Sequence, residues 1–242
     1  MVQESIRTAE IDAGTPAGEQ LATLRHDLEA AIHGMVSLAE HREAGGGGHI
    51  RRIGEYAMLL ARALSGRPPY DHWLTPRRIE LLRLAAPLHD IGKMAIPDRI
   101  LLKGGPLNRT EWEEMKRHTQ YGRDALQRAE AAFGGSDFLE VARIIAYTHH
   151  ERWDGRGYPE GLVAEEIPVP GQIMALADVY DALISVRVYR SAVSHREAVD
   201  RIRRERGAHF APAVVDAFLE QEAAFQEVVQ RFGDDGQDQM KR

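Results

Sequence analysis

Several polar residues of this sequence stand where helices should be apolar. His89 lies three and four residues after Ala86 and Ala85, on the stripe a helix would bury, and Asp90 follows it. Neighbouring helical residues point about 100° apart, so a His-Asp doublet can address one metal ion while its carboxylate reaches a second. His118 extends the apolar face of Trp112 and Met115, and His149 and His150 close a segment whose other face is Ile144 and Ile145. His49 follows a glycine run at a helix start. Asp178 sits within the apolar stretch Met174 to Val179, where an unpaired carboxylate is costly or loses its charge. Imidazoles and carboxylates that converge on one buried cavity point to a metal site, because coordination offsets the cost of burying them. Taken singly, each is more often a hydrogen-bonded core residue, so the reading rests on the set. A second His-Asp pair, His26-Asp27, is flanked by Arg25 and Glu29 and reads as a solvated helix face.

Composition narrows the chemistry. The chain has 242 residues, 43% of them hydrophobic, enough for one large domain with a sizeable core. Its formal net charge of -6 argues against gripping long nucleic acids, which reward basic surfaces. A small phosphate-bearing ligand stays compatible, since a few arginines or metal ions can reverse the field inside one pocket. With no cysteine, disulfides, thiolate catalysis and cysteine-ligated zinc are ruled out, and histidines and carboxylates must hold any metal. The first residues carry Glu4, Glu10 and Asp12 and no apolar run, so they do not read as a signal peptide. No stretch approaches the length of a membrane span, and the expected location is the cytoplasm.

The elements that must position these residues are almost entirely helical. Residues 1–18 read as a flexible arm and 19–45 as a helix, with Leu21, Leu24, Leu28, Ile32 and Met35 at three- and four-residue steps. The run Gly45 to Gly48 ends it. Thr75-Pro76 opens a helix with Ile79, Leu82, Ala85 and Ala86 on one stripe, Thr110 and Glu113 form a capping-box pattern, and Ser136 caps a helix through Ile145. Gln172 to Val186 is apolar nearly all round and predicts a central helix. Amphipathic helices follow at about 194–206 and 211–230, before a polar tail at 232–242. Loops are expected at Asp98 to Asn108 and at Arg152 to Pro170. The fold class is all-α, with the main domain at 46–231.

Four segments resemble one family. HDIGK, from His89 to Lys93, is similar to the extended motif of HD-domain phosphohydrolases, and HHERWDGRGYP, from His149 to Pro159, resembles the signature of the HD-GYP subfamily. The runs from Ile96 to Lys103 and from Ala177 to Leu183 match the same family in order and type. The resemblance runs from about His49 to Leu219 and implies an HD-domain helical bundle with extra C-terminal helices. It implies a cyclic di-GMP phosphodiesterase that yields pGpG and continues in part to GMP, with His49, His89, Asp90, His118, His149, His150 and Asp178 as metal ligands. Two ions, iron or manganese, would be bridged by Asp90 and would hold the attacking hydroxide between them. Asp90 and Lys93 would be the catalytic pair, with Lys93 neutralising phosphoryl oxygens. Lys93, Tyr158, Asp181, Arg187 and Arg190 would contact substrate, with arginine at 190 where the family more often has lysine. Gly45 stands where three-metal members carry a Glu, so the resemblance implies two metals and no third.

The same resemblance implies that the Gly-Tyr-Pro loop contacts a diguanylate cyclase domain. The outer helix around Leu24 to Met35 is a candidate surface for a homodimer. Two competing readings are a phosphodiesterase for another cyclic dinucleotide, since metals and arginines read phosphate and not the base, and a non-catalytic cyclic-dinucleotide-binding or cyclase-interacting module. Retention of His89, Asp90 and Lys93 favours the enzyme.

Overall fold

The computed structural model describes residues 16–41, 48–185 and 192–233, and no β-strand occurs among them. In chain order the elements are α1 (Pro16–His41), α2 (Gly48–Leu64), α3 (Pro76–Ala85), a 3-10 segment (Ala86–Ala95), α4 (Asp98–Leu101), α5 (Arg109–Lys116), α6 (His118–Phe133) and α7 (Asp137–Thr148). After a long loop come α8 (Val169–Ile184), α9 (His195–Arg204), α10 (Pro212–Glu220) and α11 (Glu222–Arg231). This is the all-α bundle expected, with α9 to α11 as its added C-terminal helices.

Two helices form the axis of the core. Along α2, Ile50, Ile53, Tyr56, Ala57, Leu60, Ala61 and Leu64 recur at helical spacing and are all buried. Around α8 the run from Pro170 to Ala177 is buried on every side, as a helix apolar all round must be. The C-terminal helices pack on this pair. The expected single helix over 211–230 is broken at Gln221, and the break turns Phe225 inward. Its ring stacks on Tyr56 at 4.7 Å and meets Phe218 and Tyr180 edge-on at 4.9 and 5.1 Å.

Local chemistry sets most boundaries. Thr75 accepts from Arg78 N and Ser136 from Leu139 N, each capping its helix as the sequence suggests. The capping box before α5 is Asn108 with Glu111, two residues ahead of the expected Thr110 and Glu113, because asparagine caps at least as well as threonine and comes first. The loop expected at Asp98 to Asn108 holds the short helix α4. α3 does not continue through His89 as an α-helix: Pro87 cannot donate to the preceding turn, and the chain tightens into the 3-10 segment.

α1 opens at Pro16, a residue suited to a first helical turn, rather than at 19. Among the described apolar side chains of α1, Ile32 and Val36 are buried, whereas Leu24, Leu28 and Met35, expected on the same stripe as Ile32, face solvent. Ion pairs from Arg25 to Glu80 and from Arg83 to Glu29, each 2.5 Å, tie the helix to α3. His26 and Asp27 are exposed, as their charged neighbours imply. Among the described residues, no helix is long and apolar enough to cross a membrane.

Candidate metal centre

Five elements bring the chemical residues together. The 3-10 segment supplies His89, Asp90 and Lys93, α6 opens on His118, and His149 and His150 follow the last turn of α7. Asp178 and Asp181 come from α8, and His49 is the second residue of α2. Residues three apart stack in a 3-10 turn, and Lys93 Nζ accordingly lies 2.8 Å from Asp90 Oδ2. The segment approaches α6 this closely because residue 92 is glycine. A Cβ there would lie 1.9 Å from the His118 carbonyl oxygen and 2.5 Å from Gly122 N.

Asp90 is the hub. Its Oδ1 lies 3.2 Å from His118 Nε2 and 3.6 Å from His149 Nε2, while Oδ2 lies 3.3 Å from His89 Nε2. Asp90, His118, His149 and His150 each offer a ligand atom, all within 4.8 Å of one another. On the other side, His89 Nε2 stands 3.8 Å from Asp178 Oδ1, and the His49 ring lies 5.5 Å from that of His89.

The backbone fixes which nitrogen faces inward. Nδ1 of His89, His118 and His149 lies 3.0, 2.8 and 3.0 Å from the carbonyl oxygens of Ala86, Met115 and Ile145. A carbonyl only accepts, so each Nδ1 must donate, which leaves each Nε2 as the atom turned to Asp90 and, in a neutral ring, as a lone pair. His118 Nε2 and His149 Nε2 are 3.5 Å apart. His89 Nε2 and Asp90 Oδ1 are buried with no hydrogen-bond partner. Lone pairs aimed at one another and at a carboxylate need a cation among them, and the donor set of imidazoles and carboxylates fits a divalent metal.

The electrostatics favour the neutral form at His149 and His150, whereas at His89 they hold a proton that a metal ion would have to displace. Burial lowers the His149 imidazole and, with His149 and His118 adding to it, holds His150 well below its ordinary value, so both stay in the neutral, ligating form. Burial also works against charge on His89, but the Asp90 and Asp178 carboxylates outweigh it and raise this imidazole to about 9. Burial opposes ionisation of Asp90, yet Lys93 and His89 hold its carboxyl well below the usual carboxylate range.

Asp181 does not sit as a substrate contact would. It is 1% exposed, and its Oδ2 lies 2.7 Å from His49 Nδ1. Arg52, itself buried, donates from Nε to Asp181 Oδ1 at 2.6 Å and from its terminal nitrogens to Ser185 Oγ and the Phe232 carbonyl. The carboxylate is thus turned inward, where it orients His49. Arg52 was missed from sequence, although it is the one charged residue on the buried stripe of α2. Arg187, Arg190 and Gly45 lie outside the described residues.

A second missed residue, Glu151, shapes the signature loop. Its buried carboxylate accepts from three backbone N–H groups, those of Glu160, Gly161 and Leu162, at 2.8, 3.2 and 3.1 Å. The loop folds back so tightly that a Cβ on Gly157 would lie 2.3 Å from Arg152 N and 2.6 Å from the Glu151 Cα. Tyr158, half-buried, is thereby laid along His150, ring centroids 4.7 Å apart and planes tilted by 31°. Trp112 meets it edge-on, and Lys116 Nζ stands 5.8 Å over its ring.

With this geometry in hand, the likeness to known proteins is specific. A family model for the HD domain matches residues 36–214. The chain belongs to the HD-domain family. The HD-domain chain is 50% identical over 206 residues to a cyclic di-GMP phosphodiesterase of Vibrio cholerae, covering 85% of this chain and 42% of that protein. It is 35% identical over 200 residues to 3'3'-cGAMP-specific phosphodiesterase 2 of the same organism, covering 83% and 36%. Among solved structures, an HDG"Y"P protein from Bdellovibrio bacteriovorus has a TM-score of 0.53 at 19% identity, covering 84% of this chain and 63% of that one, a likeness of fold. The chain spans less than half the length of these curated relatives. The HHERWDGRGYP run from His149 to Pro159, which resembles the HD-GYP signature, lies within the matched residues.

Proposed function

We propose that this HD domain hydrolyses a cyclic dinucleotide, cyclic di-GMP, at metal ions held around Asp90. One observation carries the reading: the two oxygens of Asp90 face two separate sets of ligands. Oδ1 faces His118 and His149, with His150 in the same cluster, and Oδ2 faces His89, which is in turn close to Asp178 and His49. That division favours two ions, and iron or manganese suits a set of imidazoles and carboxylates without sulfur. Ions bound there would supply Lewis acidity and a nucleophile at neutral pH.

The chain's own residues supply the rest. Lys93 places an ammonium group beside Asp90 at the partly exposed edge of the cluster, where it can bind a phosphoryl oxygen as charge develops. Tyr158 presents an aromatic face beside His150 on which a base or ribose can stack, and burial raises its hydroxyl so that it stays a donor. His49 is oriented by Asp181 and needs no contact with substrate to matter. Arg187 and Arg190 remain our proposed phosphate contacts. The proposed product is linear pGpG; rapid, complete conversion to GMP would count against a two-metal centre.

Relatives named for cyclic di-GMP at 46–50% identity outrank those named for 3'3'-cGAMP, at 35% and below. The mixed dinucleotide is therefore the second reading. Incubating the metal-loaded chain with each compound and following products by chromatography separates them. Faster opening of cyclic di-GMP is expected. Opening of the mixed compound alone would replace the substrate, and turnover of neither by a metal-loaded protein would overturn the enzyme reading in favour of a binding module.

A further inference from the structure

The outer face of α1 carries a pattern unrelated to the metal centre. Leu24, Leu28, Ala31, Met35 and Leu38 follow one another at steps of four, three, four and three residues, the a/d spacing of a coiled coil. All of them face away from the protein. Leu24, Leu28, Met35 and Leu38 are 66%, 43%, 54% and 71% exposed, and Ala31 is exposed as well. Ile32 and Val36, with the ion-paired Arg25 and Glu29, hold the helix to the body by its other side. Short coiled coils are marginal because their helices must order on association. Here that ordering is already done by the fold, so the leucine stripe is presented on a fixed rod.

We propose that a second copy of this chain covers the stripe, the two α1 helices running antiparallel about a two-fold axis. The spacing calls for a partner helix with the same repeat, and α1 itself provides one. Antiparallel pairing sets Leu24 against the partner's Met35 and Leu28 against the partner's Ala31, each contact occurring twice by symmetry. Large then meets small at the centre, as close packing requires. Parallel pairing would set Ala31 against the partner's Ala31 and leave a void. Gly34 fits the same picture. A mid-helix glycine costs about 1 kcal/mol relative to alanine, and a Cβ at this position would meet nothing within 4 Å of its own chain. Closely approaching helices give that glycine a use. Asp27 falls opposite the partner's Gly34, so no like charges meet across the seam.

The test is light scattering behind gel filtration on the full 242-residue chain over a range of concentrations, with cross-linking beside it. A dimer is expected, and the double variant Leu28→Glu, Met35→Glu should run as a monomer with unchanged circular dichroism and metal content. Because the chain has no cysteine, cross-links report orientation without background. The double variant Leu24→Cys, Met35→Cys should oxidise to a covalent dimer, and Leu24→Cys alone should not. This arm also decides the matter if the glutamate variant misfolds. A chain that stays monomeric at its highest soluble concentration, a dimer indifferent to the glutamates, or equal cross-linking by Leu24→Cys alone would each overturn the proposal.

Discussion

At the scale of single residues, Asp90 and Glu151 show two uses of a carboxylate that sequence separates only in part. Asp90 sits among imidazole lone pairs, and its charge is what a metal needs. Asp90→Asn keeps the shape and removes that charge, so bound metal should be largely lost and turnover should fall on the order of 10²–10³-fold. Elemental analysis beside the rate assay checks both. Glu151 touches only backbone N–H groups of the signature loop, so its effect on chemistry runs through Tyr158. In Glu151→Gln one acceptor becomes a donor that cannot pair with an N–H. The expectation is a roughly 10-fold loss of kcat/KM with metal content retained; loss of metal instead would make Glu151 part of the centre. His89, Asp90, His118, His149 and His150 were legible because their types are wrong for an apolar stripe. Arg52 carries the same signal on the stripe of α2, but its pairing with Asp181 does not, because a buried ion pair between distant helices leaves no spacing to read.

Elements were legible where periodicity is long and obscure where one residue decides the backbone. The apolar stretch of α8 announces a buried helix, and the caps at Thr75 and Ser136 follow from side-chain chemistry. The break at Gln221 serves an aromatic cluster assembled from α2, α8 and α10, which local pattern does not contain. The 3-10 segment is the element on which the site depends most, and Gly92 lets it lie against α6. Gly92→Ala forces a methyl group into backbone atoms that cannot yield, so a loss of about 3 kcal/mol is expected in denaturant unfolding. Metal affinity should fall with it, since Asp90 and His118 would be pushed apart. An alanine variant as stable as the parent would contradict the packing described.

For the molecule as a whole, acid sensitivity has a traceable source besides the metal centre. Burial, with Arg152 beside it, lowers His209 to about 4, although Glu205, Asp154 and Asp178 pull the other way. Its folded pKa lies below the unfolded value of about 6.5, so the unfolded chain binds the proton first. Its contribution to stability is therefore complete above about pH 6.5 and is lost as pH falls towards 4. A shift of that size corresponds to about 3 kcal/mol, and His209→Gln should flatten this part of the pH profile of Tm. The bundle, its added helices and the clustering of imidazoles and carboxylates were readable in the sequence, which also placed the helix around Leu24 to Met35 on the outside; that Ile32 and Val36 face the body while Leu24, Leu28 and Met35 face outward was not. If the imidazoles and carboxylates around Asp90 hold the metal on which phosphodiester hydrolysis depends, metal and turnover must be lost together. The most direct measurement is metal content by mass spectrometry, with cyclic di-GMP turnover, on the parent chain and on a His89→Ala, Asp90→Ala double variant purified without chelator. About two divalent ions per chain in the parent, with metal and turnover both lost in the variant, is the expected result. A parent chain that binds no iron or manganese after anaerobic reconstitution, or a variant that still turns over cyclic di-GMP, would contradict it.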